Sequence, residues 1–265
     1  MKIYEIADEE RCESVGVLLY YEKQKAFIIE LQEDLDEWTA PLLFTSLVKK
    51  HIFKVPKDIS ALWVRERVIP SGRQNIGSIL TTHKLRAYDE MRFLEISKGK
   101  CSQDSLYIRK LHELPAFVGK RMEQNVAECF LSSDHTLMCF FFDGTTRKTD
   151  LSELRDADGV DQVLKNRRLM ESVQPGVGGY SVSFGNGVDI PAHLLYRSGV
   201  SVPVSLAEFQ AFVRRNVLDT SESCAILACS RQNLAYLQAQ GLAAVKENAK
   251  GNLYLKGDIL KTRWD

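Results

Sequence analysis

Apolar positions along this chain recur with two periods, and the switch between them divides it into parts. Residues 14–20 (SVGVLLY) and 26–31 (AFIIEL) are short runs rich in β-forming residues, split by the polar turn EKQK, and predict a hairpin. The acidic stretch QEDLDE leads into a predicted helix over 38–50, with Pro41 tolerated in its first turn. Trp63, Val64 and Arg65 predict a buried strand, ended by Pro70, Ser71 and Gly72. Helical spacing returns at 75–83, with Ile76, Ile79 and Leu80 on one face, and at 88–96, with Met91, Phe93 and Leu94. The tail KGKCSQDSLYI closes this part with a short strand.

Pro115 and a charged helix over 117–125 open a second part with a different rhythm. Strands are predicted at 126–131, 136–142 and 145–150, joined by SSDH and by Asp143-Gly144, a strong hairpin signal between β-forming runs. A helical turn at 151–154 and a short helix at 160–165 follow. Residues 169–173 and 180–184 read as further strands, with Gly185-Asn186-Gly187 as a tight turn, and Pro191 opens a helix over 192–196. The run HTLMCFFFDGTTRKTDLSEL, then YSVSFGNGVDIPAHLLY, resembles the bacterial domain-of-unknown-function family 2442. Its best marks are Phe142-Asp143-Gly144, Asp150-Leu151 and Asp189-Ile190. That resemblance implies a small α+β domain with a binding or scaffolding role, and no catalytic residue to carry over.

The third part begins with a capping box, Ser205 as cap and Glu208 three residues on. The helix it starts, 206–217, places Leu206, Phe209, Phe212 and Val213 on one face, and reads as a rigid connector able to pack on its neighbour or pair in a dimer. Arg214 and Arg215 complement the dipole at its C-terminal end, or touch phosphates. Over 219–260 the pattern is helix, tight turn, helix, a two-stranded wing and a closing helix. Asp219 and Thr220 are cap-type residues, and Cys224, Ile226 and Leu227 are the apolar members of the first helix. Ala228 and Cys229 are small enough for a close corner. Ser230 caps the second helix, whose apolar face is Leu234, Leu237 and Tyr236, and Gly241 closes it.

This segment resembles the excisionase and MerR type of winged helix-turn-helix. The resemblance implies that the second helix enters the major groove with Ser230, Arg231, Gln232 and Asn233, with Tyr236 further along it. The wing then adds Lys246, with Lys250 or Asn252 on a phosphate. Arginine pairs bidentately with guanine, and Gln or Asn with adenine.

Composition sharpens this picture in two places. Among 265 residues, 35 basic and 35 acidic side chains cancel, so the whole chain is not a general polyanion binder. Only residues 205–265 are net positive, with eight basic against six acidic residues. A lone reader with so small a surplus binds weakly, so a homodimer presenting two readers at fixed spacing is expected. The six cysteines have no C-x-x-C spacing, as suits reduced thiols in the cytoplasm. No stretch has the length of a signal peptide or a membrane span, so no membrane partner is expected.

No constellation points to catalysis, metal or cofactor. Arg65, Arg67, Arg73 and Lys84 read as a solvated face with partners such as Glu66 and Asp89, and Cys101 as a structural thiol. Asp143, Asp150 and Asp189 fit turns and caps, and His193 a partly buried structural histidine. Gly176, Gly178 and Gly179 form a loop, not a phosphate cradle. The expected fold is therefore α+β: an α+β module over 1–115, an α+β domain over 116–204, and a mainly α winged helix-turn-helix over 205–265. The expected function is a bacterial transcriptional regulator that binds double-stranded DNA. The alternative is a non-enzymatic adaptor, antitoxin-like or phage-derived, whose winged domain binds protein. A protein partner on residues 1–204 suits either reading.

Overall fold

The computed structural model describes every residue except Asp134, Asn186, Val202, Ser205, Ala249, Lys250 and Asp265, and only the backbone of Leu206, Ala207 and Phe209. Helices and antiparallel sheets alternate along the chain, which is of the α+β class. Contacts divide it into two units, Met1–Val118 and Gly119–Asp265. The second unit thus holds both the middle region and the C-terminal region.

The first unit is built on a four-stranded antiparallel sheet: β1 (Lys2–Asp8), β2 (Glu13–Tyr21), β3 (Ala26–Leu31) and β4 (Leu106–Leu111), in the order β3-β2-β1-β4. Strand β1 alternates as KIYEIAD, with Tyr4 and Ile6 buried, and had no counterpart among the expected elements. The open side of β3 is covered by residues 53–55. Leu31 donates to the carbonyl of Phe53 at 2.8 Å, and Val55 to that of Ile29 at 2.9 Å. The amide of Ile29 is taken by buried Ser60 Oγ at 3.1 Å, so this stretch of β3 is satisfied on its outer side.

Between the strands lie α1 (Thr45–Lys49), α2 (Lys57–Arg65), α3 (Ile76–Thr82) and α4 (Glu90–Ser97). Three expectations need correction here. Residues 63–65 are not a strand but the end of α2: Ser60, Trp63 and Val64 are buried at helical spacing, after Pro56 at the start and Asp58 in the first turn. The helix expected over 38–50 begins only at 45, after a 3₁₀ turn, Leu42–Phe44. Ahead of it, Asp36 Oδ1 accepts the amides of Trp38 and Thr39 at 2.9 and 2.8 Å and holds that stretch as a turn. The third correction concerns Arg67, expected on a solvated face: its side chain is buried, stacked on Trp63 at 3.9 Å and paired with Asp104. Arg65 meets Glu90 at 3.5 Å.

A helix that spans the boundary, α5 (Ala116–Met122), precedes the second unit's main sheet. That sheet holds β5 (Val126–Leu131), β6 (Thr136–Phe141) and β7 (Thr146–Asp150), the hairpin at Asp143-Gly144 turning where Gly144 has φ 82°. Asp143 Oδ1 accepts the Thr145 amide at 2.8 Å, and its other oxygen accepts the Tyr196 hydroxyl at 2.7 Å. Next come α6 (Val160–Lys165) and α7 (Arg167–Glu171). Residues 169–173, expected as a strand, mostly belong to α7, because Asn166 caps it through the Leu169 amide at 3.2 Å.

A second sheet has the order β10-β9-β8, from β8 (Gln174–Pro175), β9 (Ser181–Phe184) and β10 (Val188–Pro191). Of the tight turn expected there, Asn186 lies outside the described residues. Helix α8 (Ala192–Ser198) starts directly after Pro191, and β11 (Val200–Ser201) returns to the edge of β7.

The connector, α9 (Leu206–Asn216), lies on the main sheet. Phe212 packs edge-on against Phe130 and Phe140, with ring centres 5.5 and 5.1 Å away. Lys148 meets Glu208 at 2.8 Å, and Arg215 donates to the Leu131 carbonyl at 3.0 Å. The expected cap Ser205 lies outside the described residues. The chain then forms β12 (Val217–Leu218), α10 (Thr220–Leu227), α11 (Arg231–Ala239), β13 (Tyr254–Leu255) and α12 (Lys256–Lys261), with β12 antiparallel to β13.

Candidate nucleic-acid interface

The corner between α10 and α11 is built from local hydrogen bonds that the sequence spells out. Asp219 Oδ1 accepts the Glu222 amide at 2.8 Å, and Glu222 Oε2 accepts the Asp219 amide at 2.8 Å, a reciprocal box that satisfies two otherwise orphaned donors. At the far end, the amide of Ala228 bonds to the carbonyl of Ala225 at 3.3 Å, and that of Cys229 to the carbonyl of Cys224 at 3.1 Å. These bonds define a Schellman turn, with Ala228 at φ 50°. A non-glycine residue there costs about 1 kcal/mol, so its methyl group is a tolerated strain. Ser230 Oγ then accepts the Asn233 amide at 3.2 Å and starts α11.

Arg231, Gln232 and Asn233 are all exposed at the start of α11. Arg231 reaches back to donate to Ser221 Oγ at 3.1 Å, which ties the starts of the two helices together. A cleft of about 600 Å³ opens beside it, lined by Asp219, Thr220, Ser221, Arg231, Asn248, Gly251 and Asn252. Leu234 is buried and Leu237 half-buried, so these two form the inner face of α11. Tyr236 is not part of that face: it is 61% exposed, one turn beyond Gln232 on the same side.

The wing is joined by the bridge between Lys246 and Leu253, and Lys246 is exposed. Asn252 is half-buried and held inside the wing. Its amide donates to Gln238 Oε1 at 3.1 Å, and its oxygen accepts the Asn248 amide at 3.3 Å. The Tyr254 hydroxyl donates to the same Gln238 oxygen at 3.2 Å. Gln238 is thus the point where α11 holds the wing, a role that sequence reasoning missed. Its partners Glu247, Asn252 and Tyr254 lie 9, 14 and 16 positions away, beyond any local pattern. Lys250 lies outside the described residues. Both arginines of the connector are exposed, and Arg215 also bonds to the edge of the main sheet.

Compared with models of protein families, with curated proteins and with solved structures, the chain matches none. The reading of this surface therefore stands on its own geometry.

One further contact seats the winged part on the main sheet. Glu128 is only 6% exposed, and its Oε2 accepts the amide of Gly257 at 2.7 Å, while Oε1 accepts the Cys129 amide at 3.0 Å. Burial pushes this carboxyl up to about 7; the two amides and Lys256 pull the other way, and Asp258 adds to the rise. Lys261 lies over the Phe142 ring, 5.0 Å from its centre. Both contacts join α12 to the sheet, so the helices of the corner are carried on a built platform.

Proposed function

We propose that this chain is a sequence-specific DNA-binding protein, a bacterial transcriptional regulator of the excisionase or MerR type, which inserts the start of α11 into the major groove. The observation that carries the reading is the exposure of Arg231, Gln232 and Asn233 on three consecutive positions of a capped helix start. Their side chains offer one bidentate donor and two amides, the groups that recognise guanine and adenine edges. Lys246 and Arg214 are exposed cations available to phosphates. The protein works in the cytoplasm, a reading its six free thiols support, and binds paired half-sites as a dimer.

The test is recovery of duplex fragments from a genomic library by the purified protein, followed by affinity measurements on the enriched sequence. Enrichment of one sequence supports the reading. Capture no better than that of random fragments removes it.

A second reading has one feature in its favour. Tyr236 on α11 and Val245 near the wing are exposed apolar side chains, as an adaptor that docks on protein would present. Such an adaptor would co-purify with its partner and bind duplex DNA no better than an unrelated protein of equal charge.

A further inference from the structure

Cys224 and Cys229 occupy special places in the corner between α10 and α11. In a Schellman turn, the residue whose carbonyl takes the outermost bond and the residue that donates it are the two whose side chains meet. Here those are Cys224 and Cys229, bonded through the backbone at 3.1 Å. The Cys229 thiol lies close enough to the Cys224 sulfur and to the Asn233 side chain for both to act on it. Both cysteines are half-exposed, so a small oxidant can reach them. By contrast, Cys129 and Cys139 are buried, paired across β5 and β6.

We propose that Cys224 and Cys229 form a dithiol site which a hydroperoxide converts reversibly to an intramolecular disulfide across the turn. One thiolate attacks the peroxide, forming an S–O bond and breaking the O–O bond, so that hydrogen peroxide leaves a sulfenic acid and one water. The second sulfur then displaces that oxygen, forming the S–S bond and releasing a second water. The two thiols lose two electrons and the peroxide gains them. Burial, then the neighbouring Cys224 sulfur, pushes the Cys229 thiol up, which favours Cys224 as the first attacker and Cys229 as the second. The bond would withdraw the Cys229 thiol proton and alter the contact with Asn233, one of the three exposed side chains at the helix start. The site itself does not depend on what that helix binds.

Trypsin makes the test direct, because cleavage after Arg215 and Arg231 isolates both cysteines in one peptide with no third. The full-length folded protein is treated with hydrogen peroxide, alkylated under native conditions and digested. The expected result is loss of two hydrogens from that peptide, restored by dithiothreitol. The Cys229→Ser variant is expected instead to hold a sulfenic acid at Cys224 that a dimedone probe captures. If both thiols alkylate freely after peroxide, oxidise separately beyond the sulfenic stage, or cross-link to other cysteines, the proposal fails. It also fails if the serine variant traps no probe after peroxide.

Discussion

Glu128 on the first strand of the main sheet holds the backbone amide of Gly257, 129 positions later, at 2.7 Å. Gly257 is the second residue of α12, where helix amides have no partner of their own, so a carboxyl oxygen from the sheet completes the helix start. The pair makes the platform on which the candidate reading surface stands.

The first prediction concerns pH. Glu128 is held up to about 7 by burial, against an ordinary value of 4.5, so the folded chain keeps this proton more tightly than the unfolded chain. Its contribution to stability is complete below 4.5 and is lost as pH rises through about 7. A difference of that size corresponds to an upper limit of about 3 kcal/mol. Carboxylates held low, such as Asp143 and Asp150, act in a lower window, losing their contribution as pH falls below the usual carboxylate range. In denaturant melts across pH 5 to 8 the wild type should therefore decline as pH rises, and Glu128→Gln should lack that decline. Parallel curves would mean that Glu128 is not the group responsible.

Gly257 itself should resist substitution. A methyl group there would lie 2.8 Å from the Ala127 carbonyl and 2.9 Å from Glu128 Oε2. Alanine ordinarily gains about 1 kcal/mol over glycine within a helix, so the clash and the helical preference oppose each other. Backbone cannot yield as a flexible side chain can, and the clash wins: Gly257→Ala is expected to lower stability by about 1–3 kcal/mol. Denaturant unfolding would show it, and an unchanged or raised midpoint would contradict the close approach.

Ser60 gives a matching prediction for the first unit. Its buried hydroxyl accepts the Ile29 amide on β3 and donates to the Val55 carbonyl at 3.4 Å. Ser60→Ala leaves that amide without its partner and should cost about 1–3 kcal/mol. Hydrogen exchange at Ile29 should quicken with it; unchanged exchange would show that another group replaces the hydroxyl.

These predictions also mark what the sequence could reveal. The caps Asp219 and Ser230 and the turn at Asp143-Gly144 were legible because each acts within three residues of itself. Trp63 misled because bulky β-forming residues at 63 and 64 outweighed the helical spacing of Ser60, Trp63 and Val64, whose burial only the packed sheet reveals. Leu169 misled in the same way, although Asn166 three residues earlier was a usable cap signal. Tyr236 fits an apolar face in a count of residue types, yet Leu234 and Leu237 alone fill the inner side. The Glu128–Gly257 and Gln238–Asn252 contacts had no local signature at all, since each depends on where separate elements finally pack.

Asn252 provides a test of the wing. Asn252→Ala removes the bonds to Gln238 and to the Asn248 amide, both partly solvated, for an expected loss of about 1 kcal/mol. Proteolysis near residues 246–253 should accelerate while the main sheet remains intact. Equal cleavage rates in the two proteins would show that the Gln238 link does not hold the wing.

The central claim is most directly tested by the affinity of an enriched duplex measured across a salt series, for the wild type and for the Arg231→Ala, Gln232→Ala double variant. Each phosphate contact should contribute about −0.9 to the slope of log K against log salt. Each lost base contact should cost about 1–3 kcal/mol on the preferred sequence and almost nothing on random duplex. The account predicts a steep slope retained in the variant together with loss of sequence preference. A salt-independent affinity, or a variant that discriminates as well as the wild type, would contradict it.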